Sequence, residues 1–414
     1  MKSKIWKDVA HQFSGANWSL AMLWIMTIGL FIQISGKVWI ASGGARNTQI
    51  YLWLLLPVAI YSIYRVFSRS ISIDKVYVPW LFFLGWVALS TYWSSDAETS
   101  QLSLAKRALF ISLYLFSIYK LVNSHSVELR RALMAAVIMV SIGAFVSLIY
   151  QYGFLNKPIS YRAFRIDRMG IGNFANYGWP VAAGIFNGSI ATWAFGFALD
   201  KKKLGWVKFF WLLMFIVLTI YVLMTGTRGA WFALLGGCIA AVLIHRSRIG
   251  IALVLLSLLS LIILCGLFWD KIVLEVAQRQ LSGRGPIWEY YFNVMTDHWW
   301  LGHGLGTPFV YLWPNGKTIS PHAHSLYLQQ VYDSGLVSLS LLVLGVSIVA
   351  FKAWKFRHNA WIRLASPPLV FALIAMLTDV ERIITRPGDY WTVFWLPVAL
   401  ILAVPDVIRA RRSV

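Results

Sequence analysis

The chain has 414 residues, 59% of them hydrophobic and 13% charged, and 37 Lys and Arg against 16 Asp and Glu give it a formal net charge of +21. Soluble domains are about 45–50% apolar and about 25% charged, so a water-solvated globular fold is excluded and lipid has to cover the surface. The basic residues lie between apolar runs instead of forming one patch, so they read as anchors of cytoplasmic loops and not as a nucleic-acid surface.

A helix needs about 20 apolar residues to cross a bilayer. Runs of this kind fall near 18–35, 48–66, 76–93, 104–121, 132–151, 178–198, 205–225, 229–245, 249–268, 328–351, 360–378 and 391–408, twelve in all. The first pair and the run near 178–198, which holds Pro180, Asn187 and several glycines, fit the pattern least well. The opening MKSKIWK precedes an apolar run, Trp18 to Ile34, that lacks a small-residue cleavage site, so no cleavable signal is expected. The 22 Trp, 18 Tyr and 25 Phe suit aromatic belts at the two membrane surfaces. Cys238 and Cys265 lie within apolar runs and read as small buried hydrophobes, with no disulfide and no cysteine metal site.

With the N-terminus in the cytoplasm, the inside loops collect 22 of the 37 basic residues, from Lys2, Lys4 and Lys7 to Arg409, Arg411 and Arg412. An even number of spans returns the C-terminus to the same side. The predicted organisation is therefore all-α and polytopic. Nine helices occupy residues 1–268, a long outside loop covers 269–327, and three helices with a basic cytoplasmic tail complete 328–414.

The outside loops carry the candidate chemistry, taken here in chain order. WSSDAETS, with Asp96 and Glu98, is acidic and offers a carboxylate base or a metal site. The loop 152–177 holds Lys157, Arg162, Arg165 and Arg168 against one acid, Asp167. Basic residues outside oppose the topology rule, and an anionic ligand accounts for them. Arg228 lies in the short turn TGTRGAW, where it either meets that anion or snorkels to head groups.

Within SGRGPIWEYYFNVMTDHWWLGHGLGT, residues 287–298 predict a short amphipathic helix lying in the interface plane, with Ile287, Trp288, Tyr291, Val294 and Met295 on one face. Gly302, Gly304 and Gly306 follow with His303 among them; such glycines let backbone amides approach an oxyanion, or simply return the loop. In PHAHSLYLQQVYDSGLVSL, His322 and His324 stand at the mouth of the tenth span. Three readings are open for this pair: a metal site without an obvious third ligand, a neutral imidazole acting as general base, or an interfacial helix cap. In the last outside loop, Arg382 and Arg386 are expected to pair with Asp379, Glu381 and Asp389.

Taken together, the order and sidedness of these motifs resemble the O-antigen ligase and polymerase superfamily of bacterial envelope enzymes. The elements are Thr227-Arg228-Gly229 with Trp231, Gly283-Arg284 with Trp288, Trp300-Leu301-Gly302-x-Gly304-x-Gly306, and His324-Ser325 followed by nine residues and then Gly335-Leu336-Val337. His324 fits the ligase spacing and His322 does not; Ser338 stands where that branch has the second glycine of a pair. The motifs cover about 225–340, and the layout covers nearly the whole chain.

The resemblance implies a GT-C-like membrane fold of about 12 helices, with one long periplasmic loop carrying short interfacial helices. It implies an inverting glycosyl transfer at the periplasmic face of the inner membrane, with no metal and no cofactor. The donor would be undecaprenyl-pyrophosphate-linked O-antigen and the acceptor a lipid A–core oligosaccharide. A polymerase joining lipid-linked repeats is the nearest alternative, and a lipid-oligosaccharide flippase a more distant one. A protein-glycosylating branch carries extra soluble sequence that this chain is expected to lack. Arg228 and Arg284 are the first candidates for the pyrophosphate, because the guanidinium fork binds phosphate oxygens bidentately and stays charged. Arg162, Arg165 and Arg168 form a second basic cluster. His324 is the expected base, while His303, His322, Trp288 and Gly304 are expected to position sugar or pyrophosphate.

Overall fold

The computed structural model describes residues 16–405 except 68–73, 161, 201–203, 249, 379 and most of 253–283. The ninth predicted run, Cys265, Arg279, Gly283, Asp379 and the charged termini lie wholly or largely outside the described residues.

Helix α1 is Ala16–Trp39. Helix α2 runs from Gly43–Ile50 through a π-helical segment, Tyr51–Leu55, into Leu56–Phe67. A 3₁₀ turn, Lys75–Tyr77, opens α3, Val78–Ser90. Helix α4 is Gln101–Ser124, and α5 is Ser126–Leu148 with a π-helical end, Ile149–Phe154. Then come α6, Pro180–Ala198, α7, Gly205–Met224, and α8, Arg228–His245. The short α9 is Arg284–Val294, α10 is Leu326–Lys355, and α11 is Ala360–Ala375. Helix α12 joins a π-helical segment, Trp391–Trp395, to Leu396–Ala403. The strands β1, Tyr311–Leu312, and β2, Ile319–Ser320, pair antiparallel with Tyr311 opposite Ser320.

Among the described residues, eight helices are long and apolar enough to cross a membrane, and α11 and α12 are shorter apolar helices. The architecture is that of an all-α polytopic membrane protein. Leu56, Ile60, Phe82, Phe209, Phe232 and Leu243 stand exposed around its sides, as lipid contact requires.

The least regular predicted span, α6, occupies the centre. It packs against α7, α8 and α11, and every residue from Ala183 to Ala198 is buried. Its glycines explain this: the Cβ direction of Gly184 meets Thr225 and Thr227, and that of Gly188 meets the Phe371 ring. Small residues let neighbouring helices approach closely where apolar bulk confers no advantage against lipid. Around this axis α1 packs on α5, α3 on α10, and α12 on α4 and α11. The alternation of the helices gathers the loops after α1, α3, α5, α7 and α11 at one end of the bundle with α9. Lys37 bonds Asp389 there, Ser95 N donates to Thr307 Oγ1, and Leu326 N donates to Met376 O.

Candidate active site

The site is organised by a break in α10. Gly335 adopts φ 74°, ψ 176°, a conformation that suits glycine and interrupts the hydrogen-bond ladder. Backbone groups released inside a membrane protein need partners from elsewhere in the protein. Tyr332 O accepts from His303 N at 2.7 Å, Leu336 N donates to Trp299 O at 2.8 Å, and Ser334 O accepts from Trp86 Nε1 at 2.8 Å. Ser338 Oγ lies 2.9 Å from Gly335 O and 3.3 Å from Gln330 O. The serine that departs from the glycine pair therefore serves the break with its hydroxyl. A Cβ on Gly335 would lie 1.9 Å from Trp300 O, so no side chain fits between the broken helix and the Trp299–Gly302 segment.

The break docks the glycine-bearing loop. Gly304 has φ 95°, and its Cβ direction is filled by Ser94 N and Cα at 2.5 Å. The His303 ring stacks between His298 and Tyr332, with centroids at 4.0 and 4.5 Å. His303 Nε2 lies 3.1 Å from Val294 O, so that nitrogen carries the proton. Burial, with His298 alongside, lowers the His303 pKa. The contacts of His303 and Gly304 are thus with the protein itself, bracing α9 against the loop.

Helix α9 begins three residues before the predicted 287–298 element and ends four before it. Its apolar face packs on the protein: Ile287, Tyr291 and Met295 are buried in a cluster with Phe309, Ala323, Val331 and Tyr332. Trp288 Nε1 donates to Ala323 O at 3.0 Å.

Ala323 separates the two histidines, and both its backbone groups are held: its N donates to Gln329 Oε1 at 3.0 Å while its O accepts from Trp288. His324 takes φ 52°, a left-handed conformation that costs a non-glycine residue about 1 kcal/mol or more. This turn brings the His322 and His324 rings to 4.1 Å and lets His324 N donate to His322 Nδ1 at 3.1 Å. His322 Nδ1 is therefore an occupied acceptor, and the proton of the neutral ring sits on Nε2. Burial first, then His324, Arg382 and Arg284, lower the His322 pKa to about 4. Ser320 Oγ donates to His322 O at 3.3 Å and lies 3.1 Å from His324 Nε2. In the tautomer in which Ser320 gives its proton to His322 O, His324 Nε2 donates to Ser320 and Nδ1 is the acceptor nitrogen.

A buried ion pair fixes this loop from below. Arg382 Nε and Nη2 donate to the two carboxylate oxygens of Asp333 at 2.6 and 2.9 Å, and Nη1 donates to Glu381 Oε1 at 2.9 Å. Asp333 also accepts from Gln329 Nε2 at 3.0 Å, and Gln329 holds Ala323. Burial works against the Arg382 charge, but Asp333 overrides it and holds the guanidinium above its ordinary pKa. Burial raises Glu381 although Arg382 opposes it.

The other predicted cations gather at the turn before α8. Arg165 Nε donates to Thr225 O at 2.7 Å and Nη2 to Thr227 Oγ1 at 3.2 Å. Arg162 and Arg165 both flank Gly226, and Arg228 opens α8 directly after Thr227. Arg168 is turned aside into a bidentate pair with its neighbour Asp167, at 3.0 and 2.8 Å. The predicted residues thus form two groups at one end of the bundle. His322, His324, Trp288 and Arg284 share the histidine pocket, and Arg162, Arg165 and Arg228 share the Thr225–Thr227 turn.

Arg382 pairs with the loop acid Glu381 as expected, and Asp333, from within α10, takes its other two nitrogens. Asp389 pairs with Lys37 instead of Arg386. Asp333 is an acid inside an apolar run, which is a signal in its own right. Among the described residues no three His, Cys, Asp or Glu side chains are grouped to hold a metal ion.

An apolar multi-helix bundle with histidines and arginines convergent at one end defines a polytopic membrane protein with a one-sided polar site. Residues 213–343 match the family model described as O-antigen ligase. Over 382 residues the chain is 26% identical to an O-antigen ligase of Pseudomonas aeruginosa, covering 92% of this chain and 90% of that protein. The likeness to the O-antigen ligase family read from the motifs is therefore shown, and it extends far beyond them.

Proposed function

We propose that the protein is an O-antigen ligase that transfers a glycan from undecaprenyl pyrophosphate to a sugar hydroxyl of a lipid A–core acceptor. The observation that carries this reading is the convergence of His322, His324, Arg284 and Arg382 at one end of the bundle, in a chain matched by the ligase family model. In this reading that end faces the periplasm, the bundle sits in the bacterial inner membrane, and both termini are cytoplasmic.

His324 Nδ1 takes the proton of the acceptor hydroxyl as its oxygen attacks the anomeric carbon. The neutral His322, protonated at Nε2, donates a hydrogen bond to a substrate oxygen without competing for that proton. Negative charge grows on the departing diphosphate, and Arg284 meets it, with Arg228, Arg162 and Arg165 as a further cationic wall. Such contacts strengthen where lipid and apolar side chains exclude water. Single-step attack from the face opposite the leaving group inverts the configuration. Cationic side chains supply the electrophilic assistance in this scheme.

The test is incubation of the purified protein with lipid-linked glycan and either lipid A–core or a second lipid-linked glycan. Glycan joined to lipid A–core is the expected product; glycan joined to the second lipid-linked unit would identify a polymerase. His324→Ala should lower transfer at least a hundredfold with the protein still folded, and near-normal turnover would reject the base assignment.

A further inference from the structure

The same end of the bundle also holds a cavity of about 400 Å³, lined by none of the histidines. Its charged lining comes from four places in the chain: Lys37 at the end of α1, Arg46 in the first turns of α2, Arg107 in α4, and Arg386 and Asp389 in the segment before α12. Four cations face one carboxylate. Lys37 Nζ is bonded to Asp389 at 2.5 Å, which neutralises that pair and leaves three guanidinium groups around the space. Glu381 also acts on Arg107, but it is already bonded to Arg382. Arg107 lies within electrostatic range of both Arg386 and Arg382, so like charges are held together here at a cost. Two lining side chains carry buried polar atoms with no hydrogen-bond partner among the described residues, Arg107 Nε and Thr385 Oγ1. Buried polar groups are nearly always paired, and a donor without an acceptor beside excess positive charge calls for an anion.

We propose that this cavity binds a phosphate group of the lipid-anchored acceptor, one that takes no part in the reaction. A phosphate monoester carries about two negative charges and three acceptor oxygens, and arginine forks match them bidentately. The cavity is of the size that holds a small polar head. The assignment to the acceptor rests on the ligase reading above, in which the donor diphosphate lies beside Arg284 and His324. The site would hold the acceptor lipid in register while its sugar hydroxyl reaches His324.

The measurement is equilibrium binding by thermophoresis to the purified full-length protein in detergent. The probes are a bis-phosphorylated lipid A–core glycolipid, the same glycolipid after phosphatase treatment, and undecaprenyl pyrophosphate. Arg46→Gln, Arg107→Gln and Arg386→Gln are each expected to weaken binding of the phosphorylated glycolipid about tenfold or more. Binding of the phosphatase-treated glycolipid, already weak, should not fall further, and undecaprenyl pyrophosphate should bind all three variants as it binds the parent. Arg386 is exposed, so Arg386→Gln tests the cavity without endangering the fold, and Arg107→Lys should recover part of the loss. A loss confined to undecaprenyl pyrophosphate would give the cavity to the donor and overturn the proposal, as would equal binding of the two glycolipids by the parent. No turnover is needed, so a protein that failed to ligate would still give this readout.

Discussion

Asp333 and Arg382 form the ion pair on which the histidine turn rests, and their coupling can be worked out. Arg382→Gln leaves the Asp333 carboxylate, 3% exposed, with the Gln329 amide as its remaining partner among the described residues. Breaking a buried pair from one side costs about 3–5 kcal/mol. Asp333→Asn should cost less, about 2–3 kcal/mol, because Arg382 is 21% exposed and keeps Glu381. The double variant removes both charges, so its loss should fall short of the sum by about 2 kcal/mol. The cycle is read from unfolding in mixed micelles titrated with sodium dodecyl sulfate. Glycan transfer should fall at least tenfold in Asp333→Asn, because the new NH2 faces an Arg382 N–H and the one remaining oxygen cannot hold both Arg382 and Gln329, the residue that fixes Ala323 N. Additivity within about 0.5 kcal/mol would show that the two residues act independently, and the account of the turn would fail.

Arg284→Lys keeps the charge but not the fork, so transfer should drop at least tenfold in the ligation assay; an unchanged rate would move the pyrophosphate elsewhere. Folding lowers His322 from about 6.5 to about 4, so as pH falls the unfolded chain takes up this proton first. Its contribution is intact above about pH 6.5 and is lost toward pH 4 by up to about 1.4 kcal/mol per unit. His322→Gln should flatten that part of the stability profile measured in micelles, and an unaltered slope would contradict the burial argument. Gly335→Ala should destabilise by more than about 3 kcal/mol, since a left-handed backbone and a blocked Cβ combine; a stable variant would mean the Trp299–Gly302 segment can lift away. EDTA should leave the ligation rate unchanged, and loss of activity restored by Mg²⁺ would return attention to Asp96 and Glu98.

Hydrophobic run length located the helices well because each span must satisfy its own backbone in lipid. Eleven of the predicted runs fall on described helices, and the ninth lies largely outside the described residues. The Gly335 break escaped that reading, since apolar composition continues across it and only the φ angle reveals it. The histidine turn was legible as two ring-bearing residues beside a span, but their protonation was not. That depends on Ser320 and on which nitrogen His324 N meets. The arginines of the 152–177 loop stood out because they defy the charge rule, whereas Lys37, Arg46 and Arg107 come from separate segments and converge only through packing.

The central position of α6 has a consequence for how the protein is built. A segment of modest hydropathy that touches almost no lipid has little of its own to keep it in the bilayer during synthesis. Its retention depends on α7 and α8, which emerge directly after it, and on α11, which leaves the ribosome some 160 residues later. The bundle is therefore sealed late, and substitutions that enlarge a small residue in α6 should surface as failed insertion and degradation before any loss of catalysis could be measured.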